Sequence, residues 1–268
     1  MRSKNKSETY VLVQDGNEFN ITENDKLLET PMGNPLRTSL KNLAVEIVLE
    51  LEQKGQDVTD EGSMYTCLCS CLDFAPLVGL EGLIKNSLPA IPEDPVLHTS
   101  ADPEIMFIQR EAYSQPYFIE NGLLQMKSNE IKEWARKEMA TWSLQEVMVV
   151  QLAGAHFRSP LIGMALAQDK INMDSAALAF CGKFWEHRMR NISGICIGSY
   201  PDFYPTKIDE MFCNEVCLRN SEGDEPRTFT CDDFHHKCGV VISIDAWRRF
   251  ATYGRNQRIK ENRKEILL

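Results

Sequence analysis

Cysteine and histidine crowd the last third of the chain, where Cys213-x3-Cys217 is followed by Cys231, His235, His236 and Cys238. Zinc takes four thiolate or imidazole ligands on short paired spacings, and a gap of three residues suits the first pair. The second pair, Cys231 with His235 or with Cys238, has no standard spacing. The expectation is free thiols and no bound metal; were a metal held, Cys213, Cys217, Cys231 and either His235 or Cys238 would hold it. Cys67 and Cys71 stand one helical turn apart without a partner pair, and cysteine is a common small core residue. His156 lies among apolar residues. A general base needs a positioned nucleophile or acid beside it, and none is recognisable, so His156 reads as a hydrogen-bonded core histidine. The sequence has no phosphate-binding glycine loop, dinucleotide fingerprint, zinc-protease helix or nucleophile elbow. Asn191-Ile192-Ser193 matches a glycosylation acceptor, but without a secretory route the match is chance. No catalytic constellation emerges: the chain reads as a non-enzyme without a cofactor.

One dense polar and aromatic group remains, Trp185-Glu186-His187-Arg188, at the end of a helical pattern. Trp and Arg are enriched in binding hot spots, so these four are the candidate partner-binding residues. A capped, solvated helix end fits them equally well.

The elements that would position such groups follow from periodicity. Tyr10 to Val13 is an apolar run, Asp15-Gly16-Asn17 a turn, Phe19 and Ile21 alternate with polar neighbours, and Asn24-Asp25 is a second turn before residues 26–30; these read as β-structure. From Ser39 the period changes. Leu40, Leu43, Ala44, Ile47, Val48 and Leu51 recur at three- and four-residue steps, giving a helix with Ser39 as N-cap and Gly55 as stop. Residues 64–74 are a second apolar segment, 75–101 resist assignment, Ala101-Asp102-Pro103 opens a helix, and 129–141 form an amphipathic helix with Ile131, Trp134 and Met139. Residues 142–173, WSLQEVMVVQLAGAHFRSPLIGMALAQDKINM, read as one long helix apolar on nearly all sides, the buried spine of a helical domain. Its longest charge-free run, 147–157, falls well short of the roughly 18–20 apolar residues of a membrane span. Residues 174–190 form a further helix. Beyond 191 helical signals thin, and the basic end, 255–264, should fray.

The chain has 268 residues with a net charge of −10, 43% hydrophobic and 25% charged, and a pI near 5.1. That composition is globular and long enough to bury a core. Such acidity argues against nucleic acid, whose binding runs on Lys and Arg. The first ten residues, MRSKNKSETY, lack the apolar stretch of a secretory signal. Nine unevenly spaced cysteines suit reduced thiols better than a secreted disulfide framework.

The order of segments resembles a family of mitochondrial chaperones, the F1-complex assembly factors of the α-subunit type (the Atp-twelve family). The hairpin residues Phe19, Ile21, Asp25, Leu28 and Thr30-Pro31 are similar to that family's, as are Leu43-Ala44, Ile47, Glu50 and Gln53 in the following helix, with Leu51 where the family usually has Trp. Met64, Thr66 and Leu68 through Leu72-Asp73, then Trp142-Ser143-Leu144-Gln145 leading into the long helix, continue the match, as do residues 165–171 and 174–178. The resemblance covers about residues 9–190 and rests on collinearity. Two departures stand out. The family's last helix ends in an acidic stretch running to Trp-Gly; here Glu186 is the one residue that could stand in for an acid. Residues 192–268 match nothing in the family.

The resemblance implies an α+β fold: a small N-terminal β-rich domain followed by a mainly α-helical domain. The expected organisation is a presequence remnant at 1–8, a β-rich domain with helices at 9–100, a helical domain at 101–191 and a Cys-rich extension at 192–268, dispensable for the folding of residues 9–190. The implied function is binding the free α subunit of the ATP synthase catalytic head, in the mitochondrial matrix, before the β subunit arrives. The alternative is the same fold reused as a permanent subunit of a divergent mitochondrial complex, contacting neighbouring subunits and peripheral at most to the inner membrane.

Overall fold

Two tight turns build the N-terminal sheet. In the computed structural model, which describes residues 9–54, 63–94, 96–98, 116–157, 159–171, 176 and 231–266 (without the side chains of 156, 157, 231–243, 265 and 266), strand β1 (Tyr10–Asp15) turns at Gly16, φ 59°, into β2 (Glu18–Glu23). Asn24 and Asp25, both at positive φ (49° and 64°), then turn the chain into β3 (Lys26–Leu27). A two-residue turn with both central residues left-handed matches the twist of an antiparallel pair, and Asn and Asp tolerate that region best after Gly. A short β4 (Arg37–Thr38) pairs with β2, so the sheet is antiparallel with β1 at one edge. Alternation sends Tyr10 and Ile21 inward, where both are buried.

Helix α1 (Lys41–Lys54) lays Leu43, Ala44, Ile47 and Leu51 into the core, the stripe its spacing predicts. Helix α2 (Met64–Ser87) is longer than the apolar segment legible in the sequence. Ser63 Oγ accepts from Thr66 N at its start, and Glu50 Oε2 of α1 accepts from Tyr65 N at 3.0 Å. A 3-10 turn (Leu88–Glu93) and two short pieces, α3 (Pro116–Glu120) and a second 3-10 turn (Leu123–Gln125), lead to α4 (Ser128–Met139), which buries Ile131, Ala135 and Met139.

The expected single spine helix is two. Helix α5 (Leu144–Phe157) and α6 (Pro160–Ala167) pack against each other across a sharp break. Pro160 cannot continue α5 and instead starts α6 at a position where its missing N–H is not needed. Ser159 caps α6 by accepting from Ile162 N, and buried Asp94 accepts from Ser159 Oγ (2.8 Å) and Leu161 N (3.0 Å). Gly163 makes the fold-back close: a Cβ there would lie 3.0 Å from Val150 O and 3.1 Å from Gly154 N. Val147 to Val150 and every residue of α6 are buried, so the segment is core, as its apolarity demands. One stretch, Met64–Glu93, is long and apolar enough to cross a membrane by length and composition, but Cys67, Leu68, Leu83 and Ile84 within it belong to the core.

The expected fraying of the C-terminus is also corrected. Residues Cys231–Ile266 form one helix, α7, packed on α5, α6 and α2. Ile244, Trp247, Phe250 and Ala251 are buried in the same cluster that holds Tyr10, Ile21, Leu43 and Val147. Two of the basic residues that suggested a solvated tail are held by the core: Arg258 clamps the wholly buried carboxylate of Glu146 through both oxygens (3.0 and 2.8 Å), and Arg255 donates to Ala167 O at 3.0 Å. Arg249 and the Tyr253 hydroxyl both reach Glu46 on α1. Among the described residues the architecture is thus an antiparallel sheet followed by a helical body, α+β, with the last helix packed on that body and tied to α1 through Glu46.

Candidate partner-binding surface

Residues 74–80, Phe-Ala-Pro-Leu-Val-Gly-Leu, contain no charge and no hydrogen-bonding side chain. They sit mid-way along α2, yet Phe74, Leu77 and Val78 are 52%, 66% and 46% exposed. Helical spacing explains why this is unusual. Met64, Cys67 and Cys71 lie on one stripe that enters the core, and Phe74 and Val78 continue the same stripe at three- and four-residue steps, now in solvent. Gly79 then breaks the helix with φ 68° and ψ 171°, a conformation glycine adopts readily and other residues rarely, and Leu83, Ile84 and Ser87 return to the core.

Both flanks of this segment are tied down. On the N-terminal side buried Asp73 accepts from the Thr30 hydroxyl and from Asn34 Nδ2 (2.8 Å). Thr30 and Asn34 close the turn that carries Met32, itself 55% exposed, through Thr30 N to Asn34 O (2.8 Å) and Asn34 N to Thr30 Oγ1 (3.0 Å). On the C-terminal side Gln151 of α5 donates to Leu83 O (2.7 Å) and to the Ser87 hydroxyl. The apolar bend is therefore held in place by the sheet on one side and the helical body on the other. Its chemistry is contact: an exposed apolar run offers surface to a partner and has no group to move a proton.

Residues that carry the family resemblance make two ties along α2. Thr30 of the Thr-Pro pair bonds Asp73, and Glu50 of α1 caps the start of α2. The sequence showed these as separate fragments; only the fold brings them together. The exposure of Phe74, Leu77 and Val78 was not legible, because an apolar helix stripe signals burial unless the core ends beneath it.

The other candidates are placed as follows. Trp185, Glu186, His187 and Arg188 lie outside the described residues, as do Cys213 and Cys217. Cys231, His235 and Cys238 fall on α7, and His156 on α5, where side chains are not described. Among the described residues no group of three or more His, Cys, Asp or Glu side chains could hold a metal. Cys67, Cys69 and Cys71 are buried free thiols. Burial, above all, pushes Cys67 and Cys71 well up and Cys69 to about 11, which keeps them protonated and poor as nucleophiles or ligands.

The polar cluster the sequence did not reveal is that around Glu146. Burial alone would raise its pKa, but hydrogen bonds from Arg258, from Ser143 N and Oγ (both 2.8 Å) and from Gln168 Nε2 (2.9 Å) hold it below the ordinary carboxylate value. The three donor residues come from different parts of the helical body, so the cluster locks α7 onto α5 and the end of α6.

No family model and no curated protein matches the sequence. Folds do match. Atp12 from Paracoccus denitrificans superposes with a TM-score of 0.56 at 15% identity, over 92% of this chain and 96% of that one. The fold is that of Atp12. A mutant of the same Atp12 aligns at 13% identity with a TM-score of 0.56, covering 92% of this chain and 95% of the other. A candidate chaperone from Agrobacterium tumefaciens aligns at 14% identity with a TM-score of 0.51, over 88% and 84%. The Atp12 fold extends past residue 191, since residues 9–190 alone could not supply that coverage.

Proposed function

We propose that the protein is a non-enzymatic assembly chaperone that binds the free α subunit of the ATP synthase catalytic head in the mitochondrial matrix and leaves when the β subunit pairs with it. The observation that carries this reading is the Atp12 fold over nearly the whole chain, with a rigidly anchored, exposed apolar segment on it. An unpaired subunit exposes an apolar interface that aggregates unless covered, and Met32, Phe74, Leu77 and Val78 offer an apolar counterface. Trp185, Glu186, His187 and Arg188, at the position of the family's acidic helix end, complete the proposed contact.

The test is capture from mitochondria lacking the β subunit, where free α accumulates. The wild-type chain captures α there and none from mitochondria holding assembled enzyme. Leu77→Asp weakens capture without altering the melting temperature, because an exposed position tolerates change within about ±0.5 kcal/mol, and Glu186→Lys weakens capture as well. Equal recovery of whole assembled complex from both sources would overturn the chaperone reading in favour of a permanent subunit.

A further inference from the structure

Helix α2 serves two parts of the fold at once. Among the described residues the sheet packs on α1 and α1 on α2, while α2 also packs on α5 and α7. Its first half belongs to the sheet side: Tyr65 N donates to Glu50 Oε2 of α1, and Asp73 accepts from the Thr30 hydroxyl and Asn34 Nδ2. Its second half belongs to the helical body, where Gln151 of α5 donates to Leu83 O and to the Ser87 hydroxyl. Any movement between the two sides must therefore be taken up between Asp73 and Leu83.

The backbone there is built to bend. Pro76 has no N–H to give the Leu72 carbonyl, which accepts from Asn34 Nδ2 at 3.5 Å instead. Three residues on, Gly79 leaves the helical region altogether, at φ 68° and ψ 171°, a region that is essentially glycine's alone. Packing does not ask for this glycine: a Cβ placed on it would meet nothing within 4 Å. Gly82 differs. A Cβ on it would lie 2.9 Å from Val78 Cβ, so the bend closes as far as it does only because Gly82 has no side chain. Pro and Gly are the usual causes of a kink in a helix, and hinges concentrate in a few such residues.

A second link crosses between the two sides away from this bend. Arg249 and the Tyr253 hydroxyl of α7 both reach Glu46 on α1. The Glu46 and Arg249 side chains are 24% and 45% exposed, and an exposed ion pair is weak and screened by salt. Asp245, one turn back on α7 and 3.7 Å from Arg249, offers the guanidinium another carboxylate when it leaves Glu46.

We infer that residues 76–82 form a hinge about which the sheet and α1 swing against the helical body, and that Glu46 with Arg249 and Tyr253 is the latch that holds it closed. Both sides share one core, so the swing is a tilt of packed parts and not their separation. Leu77 and Val78 ride on the hinge, and the shape of the exposed apolar segment follows the latch. The inference rests on the fold and not on the identity of any partner.

The experiment is double electron–electron resonance on the full chain, with spin labels carried by non-canonical residues so that the native cysteines are left alone. One label replaces Val13 of the sheet and the other Lys137 of α4; a control pair, Lys137 and Asn256, lies within the helical body. All three positions are exposed. The wild type at low salt gives one main distance between Val13 and Lys137. Glu46→Ala removes both latch contacts and raises the fraction at longer distance roughly two- to fivefold, the factor an exposed ion pair is worth. Arg249→Ala spares the Tyr253 contact and raises it less, and about 1 M salt raises it in the wild type. Gly82→Ala shifts the main distance itself, because its methyl meets Val78. The control pair stays unchanged throughout. An unaltered Val13–Lys137 distance in Glu46→Ala and at high salt overturns the inference, and so does a control pair that broadens as much, which would mean general loosening. The salt series needs no variant, so it decides the matter even where a substitution prevents folding.

Discussion

A chain ending at Asn191 should not fold. Removing the rest takes away α7, and with it the buried side chains of Ile244, Trp247, Phe250 and Ala251. Trp and Phe each bury about 150–250 Å². At about 25 cal/mol per Å² of apolar surface, the two aromatics alone represent roughly 8–12 kcal/mol, an upper figure because unfolded chains are partly compact. A domain has about 5–15 kcal/mol in all. The truncation also leaves the buried carboxylate of Glu146 without Arg258, and breaking a buried ion pair costs a further 3–5 kcal/mol or so. The assay is thermal unfolding followed by circular dichroism at near-ultraviolet and far-ultraviolet wavelengths. The expected result is a molten or insoluble product with no cooperative transition. Cooperative unfolding within a few degrees of the full chain would show that α7 contributes little to the core and would refute the reasoning.

Substituting Arg258 by Met should destabilise the full chain by about 3–5 kcal/mol in urea unfolding, because Glu146 keeps its burial and loses its cation. The pH dependence follows from the lowered pKa of Glu146: a depressed carboxylate adds stability that is complete above its unfolded value, near about 4.3, and is lost as pH falls through the folded value. Without Arg258 the folded value rises and that acid-side loss shrinks, so the deficit of Arg258→Met against the wild type should be widest near neutral pH and narrow as acid protonates Glu146. Gly163→Ala should cost about 1–3 kcal/mol by forcing a methyl against Val150 O and Gly154 N, measured as a fall in melting temperature. Cys67, Cys69 and Cys71 should resist a thiol reagent in the native protein and react together on unfolding, which mass spectrometry of the labelled peptides would show.

Local pattern carried the first part of the fold well. The turns at Gly16 and at Asn24-Asp25, the stripe of α1 and the inward residues of α4 were all written in period and turn chemistry. The misreadings share a cause. In residues 142–173 apolarity was correct but direction was not, since burial on all sides looks alike whether a helix continues or doubles back on Gly163. At residues 255–264 a run of Arg and Lys looked wholly solvated because the acceptors that hold Arg258 and Arg255, Glu146 and the Ala167 carbonyl, lie far away in sequence. The exposed apolar bend was hidden for the converse reason: Phe74 and Val78 sit on a stripe that is core a turn earlier, and they emerge just before the helix breaks at Gly79.

The ties between Glu46 and Arg249, 203 residues apart, and between Glu146 and Arg258, 112 apart, set a timetable for biosynthesis. The sheet and α1 leave the ribosome long before the aromatics of α7 that close the core. Until then the nascent chain carries α5 and α6 with one side uncovered. Contacts this distant in sequence slow folding, and an uncovered apolar helix pair is what holding factors recognise in an unfinished chain. The sheet, α1 and the α5–α6 pair thus wait for α7 before the shared core can close.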